Sequence, residues 1–408
     1  MNTSAFVLMA ATAVCVHAQE ADFGISVPVT VSGGGLSTRR LQVTDPGEST
    51  LSGGFRVLLY PTLKLGSHWF GYAAVQSRLE PYFYYDAFQP RHQLRTDVLQ
   101  AFAGYSWHIG QTAMVVKAGK LSSAFGAFPL RYDDVQNPLL DQPLSYVTAI
   151  PLRADQIACG TRDLLRQFYG SVGESCGGAA GRGPGLTPVT LYGLPGGQVE
   201  VSSRGLDGRL QLTVGSPSNS QPWSLARQYL QWAAGAGYTI RHDLRVGVSG
   251  FRGPYLSPSV SALLPSGTIA RDFPASGLGL DVQWARGRWT LSGEMQRFEF
   301  RLPNFVVSPS VRSSYIEAKS MLTPRLFLAG RAGRLRAGRV ADSQNITAAE
   351  WAPSLTGIEM SAGSWVNRHV LVKASYGILH SEGDSSTRFN VLGIQVVTTL
   401  HALNQAFR

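Results

Sequence analysis

The feature that most constrains this chain is the alternation of its link lengths. Short segments in which apolar and polar residues alternate are joined by links that are, in turn, very short and long. After residue 50 the short links fall at Gly66-Ser67, His108 to Gln111, Gly205-Leu206, Arg241 to Asp243, Arg286-Gly287, Leu322 to Pro324 and Ser364 to Arg368. Between them lie Gly-, Pro- and Ser-rich stretches of roughly 7 to 75 residues, against a median of about 4 to 6 in compact soluble domains. Short turns on one side and long loops on the other are the signature of a closed, membrane-spanning antiparallel barrel. A soluble propeller or sandwich would leave that asymmetry without a cause.

Composition fits the barrel better than a packed globule. Of 408 residues, 45 are glycine and only 15% are charged, while 44% are apolar. A water-lined interior needs apolar residues only at alternate strand positions, where they meet lipid. No segment after residue 18 approaches the ~18 consecutive apolar residues of a spanning helix. A membrane crossing by this chain therefore has to be a closed sheet, which leaves no backbone group unpaired in lipid.

Residues 1–18 read as a secretory signal, with an apolar run from Ala5 to Val16 and the small-residue site Val16-His17-Ala18 before Gln19. The segment before that run has no Lys or Arg. Cys15 lacks the preceding Leu expected of a lipidation site, since Thr12-Ala13-Val14 stands there. After cleavage, Cys159 and Cys176 remain in one long link. Two cysteines in an exported chain fit one disulfide in an oxidising compartment; a metal site is disfavoured because no His cluster accompanies them.

Period-two alternation places strands near 24–32, 53–65, 68–79, 95–107, 112–121, 198–204, 207–215 and 229–240. Eight more follow near 244–252, 275–285, 288–300, 312–321, 325–336, 355–363, 369–380 and 388–400. In 230–240, Leu230, Trp232, Ala234, Ala236, Tyr238 and Ile240 form one face and Gln231, Gly235, Gly237 and Thr239 the other. About sixteen strands is an even number, as a closed single-chain barrel needs, and barrels of that size enclose an aqueous channel. Pro61 predicts a bulge or break within its strand. The last strand is expected to end near Leu400, followed by a short tail to Phe407-Arg408.

The link from Ser122 to Gly197 is far too long to be only a connector. It contains both cysteines together with Arg131, Asp133 and Asp134. The expectation is that it folds into the barrel and narrows it; a surface cap is the alternative. The run Val115-Val116-Lys117-Ala118-Gly119-Lys120-Leu121-Ser122-Ser123-Ala124-Phe125-Gly126 resembles the strand and loop start of phosphate-selective porin O/P-like proteins. That resemblance implies a sixteen-stranded, often trimeric channel with a basic interior and a constriction loop after the Phe-Gly pair.

The formal net charge is +10. Export and the lack of any binding module argue against nucleic acid as the partner of that charge. A charge on the lipid face costs roughly 2 to 4 kcal/mol at mid-membrane, so basic residues within strands should mostly face water. Rings of Arg and Lys favour anions in a pore. The solute-path candidates are Lys117, Lys120 and Arg131 at the loop root, with Arg56, Arg209, Arg245, Arg288, Lys319, Arg331 and Lys373 on strands. Others are expected at the rims, against acidic lipid head groups.

Catalysis finds no support. The histidines are scattered singly, and there is no His-Glu-x-x-His pair, Gly-x-Ser-x-Gly elbow or phosphate loop. The expectation is thus an all-β outer-membrane barrel of about sixteen strands, with no cofactor and no metal. It would pass small hydrophilic solutes, anions preferentially, with membrane lipid and copies of itself as neighbours. A barrel plugged by its own loop, serving a structural or adhesive role, is the competing reading.

Overall fold

The computed structural model describes residues 23–39, 51–79, 94–128, 133–168, 175–178, 185–190, 193–218, 229–342, 349–382 and 387–407. Residues 1–18, read above as a secretory signal, and Arg131 lie outside them. No described helix is long and apolar enough to cross a membrane.

Sixteen antiparallel strands form one closed sheet. They are β1 (Phe23–Arg39), β2 (Leu51–Leu59, resuming as Thr62–Leu65), β3 (Trp69–Leu79), β4 (Leu94–Ile109), β5 (Thr112–Leu121), β6 (Leu194–Ser203), β7 (Leu206–Val214) and β8 (Leu230–Arg241). Then come β9 (Leu244–Pro254), β10 (Pro274–Arg286), β11 (Trp289–Phe300), β12 (Ser310–Met321), β13 (Leu326–Ala337), β14 (Ser354–Trp365), β15 (Val370–Glu382) and β16 (Thr387–Phe407). Each strand pairs with its neighbours in sequence, and β1 closes the barrel on β16 from Phe23 opposite Phe407 to Arg39 opposite Asn390. Closure removes the unpaired edges that lipid could not satisfy.

Side-chain polarity is inverted relative to a soluble protein. Leu210, Leu212, Leu278, Leu280, Met295 and Ile316 are exposed on the outer face, while Gln211, Asp281, Glu294, Gln296 and Glu317 are buried inward. Aromatic side chains mark the end carrying the short turns: Trp69 and Trp289 are exposed there, and the Trp69 ring lies 4.9 Å from that of Tyr105. Rings of this amphipathic kind favour a membrane interface. One turn needs two left-handed residues in succession, Arg204 (φ 48) and Gly205 (φ 83). Such mirror-image turns match the twist of paired strands.

Several boundaries differ from the sequence reading, two of them for a clear physical reason. The final strand runs on past Leu400 to Phe407, because one extra residue bulges between Val27 opposite Leu403 and Pro28 opposite His401. The alternation is lost there, although the pairing continues. Strand β6 starts at Leu194, four residues early, since Pro195 and Gly196 pair with Lys120 and Gly119 despite reading as loop. At Pro61 the strand does break: Tyr60 N–H donates to the Pro28 carbonyl (2.9 Å), and the Pro61 carbonyl accepts from Ala73 N–H (2.9 Å).

Gly119 is required where it stands. Its φ is 142, and a Cβ there would collide with the Ala101 carbonyl on β4. Gly119→Val should cost roughly 2 kcal/mol or more from the backbone conformation alone. The expected outcome is a lower yield of heat-modifiable, folded barrel on unboiled gels, with Gly33→Val, at an open strand position, as the control.

Candidate functional site

The site is the inner face of the wall together with the long segment that enters it. Leaving β5 at Leu121 and returning at Leu194, the segment includes short helices at Leu144–Val147 and Thr161–Phe168 and a strand pair, Gln156–Ala158 with Ser175–Gly178. Its start dips to mid-barrel. Phe125 packs against Phe251 (5.0 Å between ring centres) and Phe298 (5.7 Å), and Phe128 against Tyr146 (5.3 Å). These rings join Ile150, Leu152, Tyr315 and Leu335 in a buried cluster inside the barrel. Apolar packing of this kind lets a segment settle in an otherwise polar interior.

Polar contacts fix where it settles. Glu294, in the middle of β11, accepts hydrogen bonds from Ala127 N–H (3.1 Å), Phe128 N–H (2.8 Å), Tyr146 O–H (2.7 Å), Tyr315 O–H (2.8 Å) and Gln296 Nε2 (2.5 Å). Three of those donors belong to the segment and two to the wall. Nearby, Gln211 takes Ala124 N–H (3.0 Å) and gives to the Ser122 carbonyl (2.7 Å), while Ser249 accepts from Gly126 N–H (3.0 Å). Opposite, Glu359 accepts from Leu140 N–H (2.9 Å), and Ser361 donates to the Pro138 carbonyl (2.6 Å).

Four of the basic residues expected on a water path belong to this seat. Arg56 bonds Gln76 (2.7 Å) and pairs with Asp134 (2.9 Å), which also takes the Ser32 hydroxyl (2.7 Å). Lys373, almost fully buried, donates to the carbonyls of Asp134 (2.8 Å), Asn137 (3.0 Å) and Leu139 (3.3 Å). Arg331 grips Glu317 through Nη2 (2.7 Å) and Nε (3.1 Å), and reaches the Asp141 carbonyl (2.9 Å) and Asn137 Oδ1 (3.2 Å). Arg209 donates to the carbonyls of Ala124 (2.7 Å) and Gly126. A buried ammonium or guanidinium needs such partners, and a chain segment rich in carbonyls can supply them.

The other candidates are placed differently. Lys117 pairs with Glu200 (2.7 Å), and Arg245 with both Asp207 (2.7 Å) and Asp281 (2.7 Å). Room for that network comes from Gly237 and Gly247, whose absent side chains leave space for Arg245 and Asp281. Lys319 sits over the Phe327 ring (4.4 Å), and Lys120 is half-buried at the end of β5 where the segment begins. Arg288 is exposed beside the β10–β11 turn rather than set among the other candidates. Cys159 is disulfide-bonded, and the strand holding Cys176 pairs beside it, Ala158 facing Ser175; the Cys176 side chain lies outside the described residues.

The sequence reading took only basic residues as candidates and so missed Glu294 and Glu359 as holders of the segment. The available signal was position: Glu294 lies on the polar alternation between Ser292 and Gln296, where only an inward partner could use it.

Asp133 adds a pH-dependent element. Burial raises its carboxyl above the usual range, opposed by the Tyr60 hydroxyl that donates to it and reinforced by the adjacent Asp134 charge, with Arg56 lowering it. A carboxyl raised in the seated state binds its proton more tightly there than in the released state. Its contribution is therefore full below the ordinary carboxylate range and is lost as pH rises through the raised value. Asp133→Asn should flatten that part of the pH dependence of protease access to the segment.

Between the segment and the wall lies a cavity of 640 Å³, bounded largely by apolar side chains such as Leu36, Leu144, Val147, Leu379 and Phe389.

No protein-family model matches the chain, and no curated protein matches its sequence. Solved structures do resemble it. The outer membrane channel DcaP of Acinetobacter baumannii aligns with a TM-score of 0.54 at 8% identity, over 93% of this chain and 97% of that one. Salmonella typhi OmpF, in a complex with daunomycin, gives 0.54 at 8% identity over 92% and 97%. The Vibrio cholerae outer membrane protein OmpT with loop L8 deleted gives 0.52 at 11% identity over 93% and 100%. At such identities the likeness is one of fold: the chain shares the barrel architecture of these outer-membrane proteins.

Proposed function

We propose that this protein is an outer-membrane diffusion channel for small hydrophilic solutes, narrowed by the segment between β5 and β6. The observation that carries the reading is the combination of a closed sixteen-stranded wall, apolar outside and polar inside, with one connector seated within it. A barrel of that strand number is too wide for wall side chains to fill, so its passage is set by what else enters it. Selectivity then comes from radius and fixed charge rather than from chemistry on the solute. Homotrimers are the expected assembly, in keeping with the trimer form in which V. cholerae OmpT has been solved.

The proposed anion preference is weak. Lys117 and Arg245 face carboxylates that cancel them locally, and the segment absorbs Arg56, Arg209, Arg331 and Lys373. Lys319 has no carboxylate within ion-pair distance among the described residues and is the inner-face cation best left to act on a passing anion. Phosphate is one such anion, suggested by the resemblance at residues 115–126. Reversal potentials across a salt gradient test this: a modest shift toward the anion potential is expected, and Lys319→Gln should reduce it. Clear cation selectivity would remove the anion reading.

A plugged structural barrel is the second reading, favoured by the aromatic cluster that anchors the segment at mid-barrel. Single-channel conductance separates the two, because a plug passes no steady current.

A further inference from the structure

The outer wall carries a charge pattern that a diffusion channel has no use for. Strand register sets Arg297 of β11 opposite Arg312 of β12, and Arg312 opposite Arg336 of β13. All three point outward and are exposed, whereas their neighbours Phe298, Val311, Leu335 and Ala337 are buried inward. Directly opposed residues have Cβ atoms about 4.5–5.5 Å apart, and like charges there repel. The wall does little to relieve this. The Arg297 and Arg312 side chains make no ion pair or hydrogen bond with any described residue, and that of Arg336 has only Glu350 at 3.9 Å, both more than half exposed. Glu299, the next outward residue on β11, forms no ion pair with a described residue, and Arg334 is already taken by Glu382 (3.0 Å).

The height of the row on the barrel is informative. Trp289 opens β11 at the turn end, and Arg297 lies eight residues further on. That is ~27 Å along the strand at ~3.4 Å per residue, or ~20 Å along the axis at a tilt of ~40°. An outer apolar band is ~25 Å tall. Between the two levels the outer face is apolar, with Leu280 57%, Met295 67% and Ile316 59% exposed. The arginine row thus stands at the far margin of the apolar belt, where acyl chains give way to head groups.

We propose that Arg297, Arg312 and Arg336 form a binding site for the phosphorylated head group of an anionic lipid in the leaflet at the loop end of the barrel. Guanidinium forks match phosphate oxygens two at a time, and a doubly charged group between adjacent forks removes the repulsion that the wall leaves uncompensated. The apolar surface directly below, Leu280 and Met295, selects a ligand whose phosphate is attached to acyl chains over a soluble anion or an acidic protein. The site also accounts for part of the chain's excess positive charge, since most of the inner-face cations named above are paired with carboxylates or bound by the segment. It rests on the membrane embedding of the barrel and not on whether the lumen conducts.

The test uses the full refolded protein in mixed micelles containing a phosphorylated glycolipid or its dephosphorylated counterpart, with lipid retained on the purified protein read by native mass spectrometry. The expected result is retention of the phosphorylated lipid roughly tenfold or more above the control, from cooperating basic residues at an anionic surface. In Arg297→Gln/Arg312→Gln/Arg336→Gln that preference should disappear while conductance is unchanged. Equal retention by the two proteins overturns the proposal, as does displacement of the lipid by millimolar inorganic phosphate, which would mark a soluble-anion site. Should the glutamine variant not fold, the lysine triple variant replaces it: retention intermediate between wild type and control supports the site, and wild-type retention without phosphate preference overturns it. A non-conducting protein that still prefers the phosphorylated lipid would sink the channel reading and leave this one standing.

Discussion

Replacing Glu294 with alanine is expected to release the segment between β5 and β6 from the barrel. The substitution removes the acceptor of five hydrogen bonds, three of them from the segment itself, in a place that the native packing keeps dry. Each buried donor left without a partner costs roughly 1–3 kcal/mol, so even with half of them rehydrated the seat loses on the order of 4 kcal/mol. The barrel has no comparable stake in this residue, because its own ladder of backbone hydrogen bonds is untouched. Folded barrel should therefore persist on unboiled gels, while single-channel conductance rises several-fold and residues 133–190 become open to protease. Glu294→Gln should act in the same direction with a smaller effect, since one oxygen survives and the new amide can only present donors to donors.

Arg331→Ala is the second large effect. It removes the guanidinium that grips the buried Glu317 and also holds the Asp141 carbonyl and Asn137 Oδ1. Breaking a buried pair from one side costs about 3–5 kcal/mol. A double variant distinguishes that cost from loss of the seat. Arg331→Met with Glu317→Leu removes both charges, so barrel stability should return toward wild type while the segment stays loosened. Equal protease access in the double variant and wild type would show that Arg331 serves the wall alone.

Architecture was legible in this sequence because a barrel repeats one rule many times. Alternation assigned Leu230, Trp232 and Tyr238 to one face and Gln231 to the other, and the wall bears that out, the first three exposed and Gln231 buried. The rule failed where regularity is interrupted: at the bulge by His401, and at Pro195-Gly196, whose residue types signal a turn while their neighbours dictate a strand. The site was harder to read. Arg56, Arg331 and Lys373 face inward, but inward does not mean water-facing once a segment of the same chain fills the space. Which carbonyl meets which ammonium depends on tertiary approach across about 240 residues of separation between Asn137 and Lys373. Local pattern carries no record of that distance. The outward arginine row was hidden for a related reason, as each arginine is unremarkable in its own strand and only register sets the three side by side.

The lumen is proposed to conduct, with the seated segment limiting the flow. Planar-bilayer recordings of the refolded wild type beside Glu294→Ala test it most directly. Stable ohmic steps from the wild type, enlarged several-fold in the variant, are the predicted result. A wild-type protein that runs as a folded barrel on unboiled gels yet yields no discrete conductance steps would contradict the claim.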